Sequence, residues 1–212
     1  MPIRVVSFDM EGTLVDHSFS RSIWEEAIPK LFAESRGLSL EEATRIVLAE
    51  YNSIGEEKPE WYDVDYWWRR LNLPGDWRKK LIENEKSCFV YSDVHMVLDD
   101  IGGRYPIIVS SNTIRDFLNV QLKCINYAFH KVYSAPSDFG IVKSQPAFFD
   151  NICRDLLISP NELAHVGDHA EFDYRIAKML GVKAYLLDRS GEMNGPDVVH
   201  DLFEFCRKLH QV

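Results

Sequence analysis

Residues 7–16 read Ser7-Phe8-Asp9-Met10-Glu11-Gly12-Thr13-Leu14-Val15-Asp16. They close a short β-branched and aromatic run, Ile3 to Phe8, that suits a strand buried on both faces in a parallel sheet. The run ends in one acid, Asp9, with a second, Glu11, two residues on and a Gly-Thr pair behind it. In open parallel sheets ligands bind at the carboxyl ends of the strands. Two carboxylates at such an end therefore mark a candidate site.

Similar runs recur at Pro106 to Ser111, Leu163 to Val166 and Val182 to Leu187, with a weaker strand at His130 to Tyr133. They alternate with helical periodicity at Val94 to Ile101, Ile114 to Cys124, Ala147 to Leu157, Phe172 to Leu180 and Val198 to Leu209. The pattern predicts an α/β fold with a Rossmann-like parallel-sheet core. Residues 17–88 differ in kind, because they offer amphipathic stretches (Ser22 to Arg36, Glu41 to Tyr51, Tyr62 to Leu71, Trp77 to Lys86) and no convincing strand. Ser39 with Glu42 has the spacing of a capping box before the second of these. The expected organisation is a core of residues 1–16 and 89–212, with a helical domain inserted at 17–88.

The strand ends carry the candidate chemistry. The first carries Asp9 and Glu11, the second Ser110-Ser111-Asn112, and the fourth Gly167-Asp168 with Asp173 five residues on; Lys143 leads into the Ala147 helix through Pro146. Carboxylates gathered in one crevice repel one another and raise their own pKa values unless a cation sits among them. Hard oxygen donors with no Cys or His alongside suit Mg²⁺, which binds through one or two carboxylates plus a substrate phosphate. Lys143 can offset the acids and contact an anionic substrate, while Ser111 and the amides after Asp9 donate to phosphoryl oxygens.

From Val5 to about Asp188 this arrangement resembles the haloacid dehalogenase-like superfamily of hydrolases, with four motifs in order: Asp9-Met10-Glu11-Gly12-Thr13-Leu14, then Ile108-Val109-Ser110-Ser111-Asn112, then Lys143 with Pro146 and Phe149, then His165-Val166-Gly167-Asp168 with Asp173. The resemblance implies a Mg²⁺-dependent phosphatase acting on a small phosphorylated metabolite. It makes Asp9 the nucleophile that becomes an aspartyl-phosphate, Glu11 the acid/base and Lys143 the charge partner. It puts Gly12, Thr13, Ser111 and Asn112 around the phosphate. It assigns the metal to Asp9, Asp168 and residue 11, the last through its backbone carbonyl, with Asp173 in support. The helical insertion resembles the family's C1-type caps, which close over the crevice.

The sequence departs from the family pattern at Glu11, where aspartate is usual. The extra methylene matters, since a misplacement of about 1 Å can cost on the order of 10²-fold in rate. Smaller departures are Ser144 for a proline, His169 for a small hydroxyl residue and Phe172 for an asparagine. The alternatives are another chemistry of the family, such as a dehalogenase or phosphonatase, and a low-activity binding protein on the same fold. A dehalogenase has no need of Asp168 and Asp173.

The 212 residues, 46% hydrophobic, suffice for one buried core. A formal charge of -9 without any Lys/Arg-rich run gives nucleic acid no electrostatic footprint. Four scattered cysteines read as reduced thiols. No segment reaches the roughly 18 apolar residues of a membrane span, and neither a membrane nor a secretory route is expected; the reading is a cytoplasmic protein whose oligomeric state stays open. The aromatic stretch Trp61 to Arg70 reads as helical core rather than a substrate pocket, Asp16 as a local hydrogen-bonding residue, and His165 as packed.

Overall fold

Strand β1 (Val5–Phe8) lies near the middle of a sheet completed by β2 (Ile107–Ser111), β3 (Lys131–Ser134), β4 (Leu163–Gly167), β5 (Lys183–Leu187) and β6 (Val198–Val199). In this computed structural model, which describes residues 2–211, the order is β3-β2-β1-β4-β5-β6. Every pairing is parallel. The chain builds outward from β1 through β2 to β3, then returns to lay β4 on β1's other side. That reversal of direction opens a crevice at the carboxyl ends of β1, β2 and β4, where the first, second and fourth motifs end.

Alternation along the strands decides which side each residue faces. Val6, Phe8, Val109, Ala164 and Val166 join one core cluster; Val5, Ile108, Leu163 and Ala184 join another, with Phe148, Phe149 and Ile176. Between Val5 and Asp9, Ser7 falls on the second face beside Ser110 and His165. A polar stripe thus runs up a buried sheet face towards the crevice.

Between β1 and β2 come α1 (Ser18–Arg21), a π-helical turn Ser22–Ala27, α2 (Ile28–Arg36), α3 (Leu40–Ile54), α4 (Pro59–Tyr62), α5 (Val64–Arg70) and α6 (Trp77–Asn84). Ser39 caps α3, its hydroxyl accepting the Glu42 amide at 3.2 Å. The two chain crossings that lead into and out of these helices run side by side: the Asp16 amide donates to the Phe89 carbonyl at 2.9 Å and the Tyr91 amide to that of Leu14 at 3.1 Å. Trp67 is fully buried among the helices, edge-on to Tyr51 with ring centroids 4.7 Å apart.

The remaining helices are α7 (Val94–Gly102), α8 (Arg115–Ile125), α9 (Ala135–Phe139), α10 (Ala147–Leu156), α11 (Ile176–Met179), preceded by a π turn Ala170–Arg175, and α12 (Leu202–Leu209). The expected terminal helix from Val198 starts late. Val198 and Val199 are an edge strand beside β5, and Asp201 caps α12 by accepting the Glu204 amide. Two β-branched residues gain more from the sheet edge than from a helix start. The five-residue α9 has no counterpart in the sequence reading. Among the described residues no helix is long and apolar enough to cross a membrane, and the four cysteines are unpaired.

Candidate active site

Lys143 is the bulkiest charged side chain among the fully buried described residues and is only 1% exposed. Its ammonium donates to Asp9 Oδ1 at 2.8 Å and to the Ser110 carbonyl at 2.7 Å, and pairs with Asp173 Oδ1. Burial opposes this charge, but Asp173 and Asp9 outweigh it and raise the Lys143 pKa. Burial pushes Asp9 the other way, well above the carboxylate range, against the pull of Lys143 and with help from Asp173 and Asp168. Asp173 is held low because Lys143 and His165 together overcome its burial. One ammonium is therefore shared unequally between two acids.

The polar stripe completes this network. His165 Nε2 lies 2.9 Å from Asp173 Oδ1 and Nδ1 lies 3.0 Å from Ser7 Oγ, while Ser7 and Ser110 hydroxyls meet at 2.6 Å. Burial, then the Lys143 charge, lower the His165 pKa to about 4. A neutral ring that donates from Nε2 and accepts at Nδ1 satisfies all its partners. The His169 amide donates to Asp173 Oδ2 at 2.9 Å, so both Asp173 oxygens are engaged. His165 is packed, as expected, and also orients Asp173.

Two glycines make the close approach possible. Gly12 has φ +73°, and a Cβ there would fall 2.0 Å from Asp168 Oδ2; at Gly167 a Cβ would fall 2.2 Å from the Asp173 carboxyl carbon. A side chain at either position would drive the acids apart. Oxygens of Asp9, Asp168 and Asp173 all lie within 4.8 Å of one another. Among the described residues Asp168 has one ion-pair partner, His17, at 3.5 Å.

The other expected site residues fall around this centre. Asn112 accepts the Lys143 amide at 2.6 Å and donates to the Tyr62 hydroxyl at 3.2 Å. Ser111 is buried and its hydroxyl accepts the Thr113 amide at 3.1 Å, which is the turn-capping role for that side chain. Thr13 is buried, and among the described residues its hydroxyl has no partner. The Glu11 carboxylate accepts at Oε1 from Ser20 and Gln121. Burial raises its pKa against those two hydrogen bonds. Asp16 accepts from the amide and hydroxyl of Ser18. Arg69 and Arg70 pair at the surface with Asp65 and Glu50.

Sequence reasoning missed Arg189, which fastens the first motif. Its guanidinium donates to the Thr13 carbonyl at 2.7 Å and to that of Gly12 at 3.3 Å, grips Asp93 at 3.0 and 3.1 Å and stacks on Tyr91. The signal was available, since Arg189 stands two residues past β5, where the strand-end rule also applies.

Over the crevice the helical segment and the core enclose a cavity of about 280 Å³. Trp24, Tyr51, Trp61, Tyr62 and Phe117 form its walls, Glu11 opens into it and Glu25 stands at its edge. The aromatic stretch thus divides: Trp67 and Trp68 are core, whereas Trp61 and Tyr62 line the cavity, a correction to its reading as core alone. The departures at Ser144 and His169 meet the insertion: Ser144 donates to Glu57 at 2.6 Å and His169 lies 4.0 Å from Glu56.

Comparison with known proteins agrees with this geometry. The model of the haloacid dehalogenase-like hydrolases matches residues 3–181. GMP/IMP nucleotidase YrfG of Escherichia coli (strain K12) is 30% identical over 71 residues, 34% of this chain and 32% of that protein, so the match spans about a third of the relative's length. A HAD phosphatase from Thermococcus onnurineus superposes with TM-score 0.86 at 21% identity, covering 98% of both chains. A 2-haloacid dehalogenase from Pseudomonas syringae pv. Tomato DC3000 gives TM-score 0.68 at 19% identity, over 99% of each chain. With the family model spanning four-fifths of its length, the chain belongs to the haloacid dehalogenase-like hydrolases.

Proposed function

We propose that this hydrolase is a Mg²⁺-dependent phosphomonoesterase that acts on a small phosphorylated metabolite through an aspartyl-phosphate on Asp9. The observation that carries the reading is the surplus of acid at the strand ends. Lys143 serves Asp9 and Asp173, and Asp168 joins them, among the described residues, without a lysine or arginine of its own. Such a cluster of hard oxygens fits a divalent ion. Asp9 and Asp168 would hold it with the backbone carbonyl of Glu11, while Asp173, fully engaged, supports from behind. When bound, the ion supplies positive charge against the acids and the phosphoryl oxygens.

The chain's own residues account for the rest. The Asp9 carboxylate attacks phosphorus, and the bond from phosphorus to the leaving oxygen breaks as Glu11 gives that oxygen its proton. Water then attacks the phosphorus, gives a proton to Glu11, and releases phosphate and the Asp9 carboxylate. Lys143 opposes the effect of burial on Asp9, drawing its carboxyl back towards the ionised form, and aims it. Arg189 and Gly12 fix the loop that carries both acids.

The cavity supports a substrate class for the leaving group. Its lining holds two glutamates and no lysine, arginine or histidine, so a second anionic group would meet repulsion. Five aromatic walls favour a flat, uncharged body. A nucleoside monophosphate has that character, in line with the name of the E. coli relative. A dehalogenase reading has less support, because halide displacement has no use for Asp168 beside Asp9. Phosphate release from a panel of monoesters and bisphosphates, with Mg²⁺ or with EDTA, tests the reading. Release from a neutral-bodied monoester, lost in EDTA, is expected; inertness on every ester, or halide release from 2-haloacids, overturns it.

A further inference from the structure

Glu11 reaches one methylene further than the aspartate usual at its place, and the question is what holds the longer side chain still. Its Oε1 accepts from Ser20, on α1 of the helical insertion, and from Gln121, on α8 of the core. Among the described residues no hydrogen bond reaches Oε2, which lies 3.9 Å from His17 Nδ1. Two donors on one carboxylate oxygen leave the other as the place for a proton, because an O–H at Oε1 would point at groups that themselves donate. Gln121 is fully buried, and among the described residues its Oε1 has no partner. An apolar residue would fill the space without that unpaired acceptor, so packing alone gives no reason for an amide there.

We infer that Gln121 and Ser20 are positioning residues for Glu11. They fix the longer carboxylate by its inner oxygen and hold the transferable proton on the outer one. The O–H at Oε2 breaks as the leaving oxygen, seated in the aromatic cavity that Glu11 opens into, gains the proton. Gln121, fully buried, acts only through Glu11, whereas Ser20 also borders the cavity. The inference rests on the phosphatase reading and gives a reason for glutamate at this position: one donor comes from each side of the crevice, and aspartate falls short of both.

Leaving-group dependence tests it. Phenyl phosphate and p-nitrophenyl phosphate have the same flat shape, but phenoxide is by far the more basic leaving group and needs protonation more. General acid catalysis is worth roughly 10²- to 10⁴-fold. Gln121→Met should lower kcat on phenyl phosphate by about 10- to 100-fold, with a much smaller loss on the nitrophenyl ester, so that the ratio of the two rates falls at least about tenfold while KM stays within about twofold. Ser20→Ala should act in the same direction and Ser20→Thr should restore the ratio. With Glu11→Asp already in place, Gln121→Met should change the ratio little. Equal losses on both esters, or an unchanged ratio in both Gln121→Met and Ser20→Ala, would overturn the positioning role while leaving the phosphatase reading intact. A wild type inert on both esters and on the metabolite panel would sink both. Melting curves check that the Met variant folds, as its apolar replacement predicts.

Discussion

The two ends of the crevice are built on opposite principles. At the proposed phosphate end the polar atoms of Lys143, Asp173 and His165 have named partners, and the side chains come from β4, the turn after it and the loop between α9 and α10. At the proposed leaving-group end the walls are aromatic rings from α3, α4, α8 and a π turn, and the polar groups Glu25 and Asn52 stand exposed at the rim. Charge has been fixed by backbone geometry, and volume by helix packing. Chemistry that must not vary belongs in the first kind of site, and choice of partner in the second.

If that division is right, the largest losses come from the phosphate end and fall on turnover. Asp9→Asn should reduce kcat on the order of 10⁴-fold or more, as removal of a nucleophile does, while the protein melts no lower than wild type. Burial already disfavours the Asp9 charge, so a neutral isostere relieves the fold. Steady-state kinetics with calorimetry decides it. A drop in melting temperature alongside lost activity would make Asp9 a structural residue as well.

Next in size is Lys143→Met. It leaves Asp9 and Asp173 facing each other in a buried site without their shared cation, a situation that costs about 3–5 kcal/mol. Urea denaturation should show that loss in metal-free buffer, and added Mg²⁺ should recover part of it. A variant as stable as wild type would break the comparison at its root, because Lys143 would then be contributing nothing to the order of that end.

The same contrast explains what could be read from residues alone. A strand buried on both faces has one legible signature, a short apolar run, and its end is fixed to within a residue. Asp9, Asp168 and Asp173 could therefore be placed at one crevice without coordinates, and Lys143 was located by the helix start at Pro146 that follows it. Rings on a helix carry no such mark. Trp61 and Trp67 stand six residues apart in one aromatic stretch, yet Trp61 lines the cavity and Trp67 is core, because a break at Asp63, which caps α5, reorients the chain between them. Gln121 was invisible for a related reason: it belongs to an amphipathic helix, and its partner Glu11 lies 110 positions away. Arg189 was legible and overlooked.

A smaller effect reports on the polar stripe. His165 has an ordinary pKa near 6.5 and a folded value of about 4, set by burial and Lys143. Between those values the unfolded chain binds the proton and the folded one does not, so stability falls as pH drops from 6.5 towards 4. The full difference is about 3 kcal/mol. Denaturation midpoints at pH 7 and pH 4.5 should diverge in wild type and converge partway in His165→Asn. A wild-type slope unchanged by that substitution would place the pH sensitivity elsewhere.

The smallest effect should come from the leaving-group end, and its form matters more than its size. Trp61 packs edge-on to Tyr51 at 6.1 Å and is only half-buried, so Trp61→Ala removes a wall without opening the core beneath it. The ring's contribution to binding a flat leaving group is about 1 kcal/mol, or roughly a fivefold rise in KM for an aromatic ester. An ester with a small aliphatic alcohol never used that wall, and its KM should hardly move. Because the wall contacts substrate and not the reacting phosphorus, kcat should stay within about twofold for both esters; binding that is equal in ground and transition states alters KM alone. Should Trp61→Ala instead depress kcat equally on both esters, the ring would be shaping the reacting centre, and the separation between a charge-built end and a packing-built end would not hold in this enzyme.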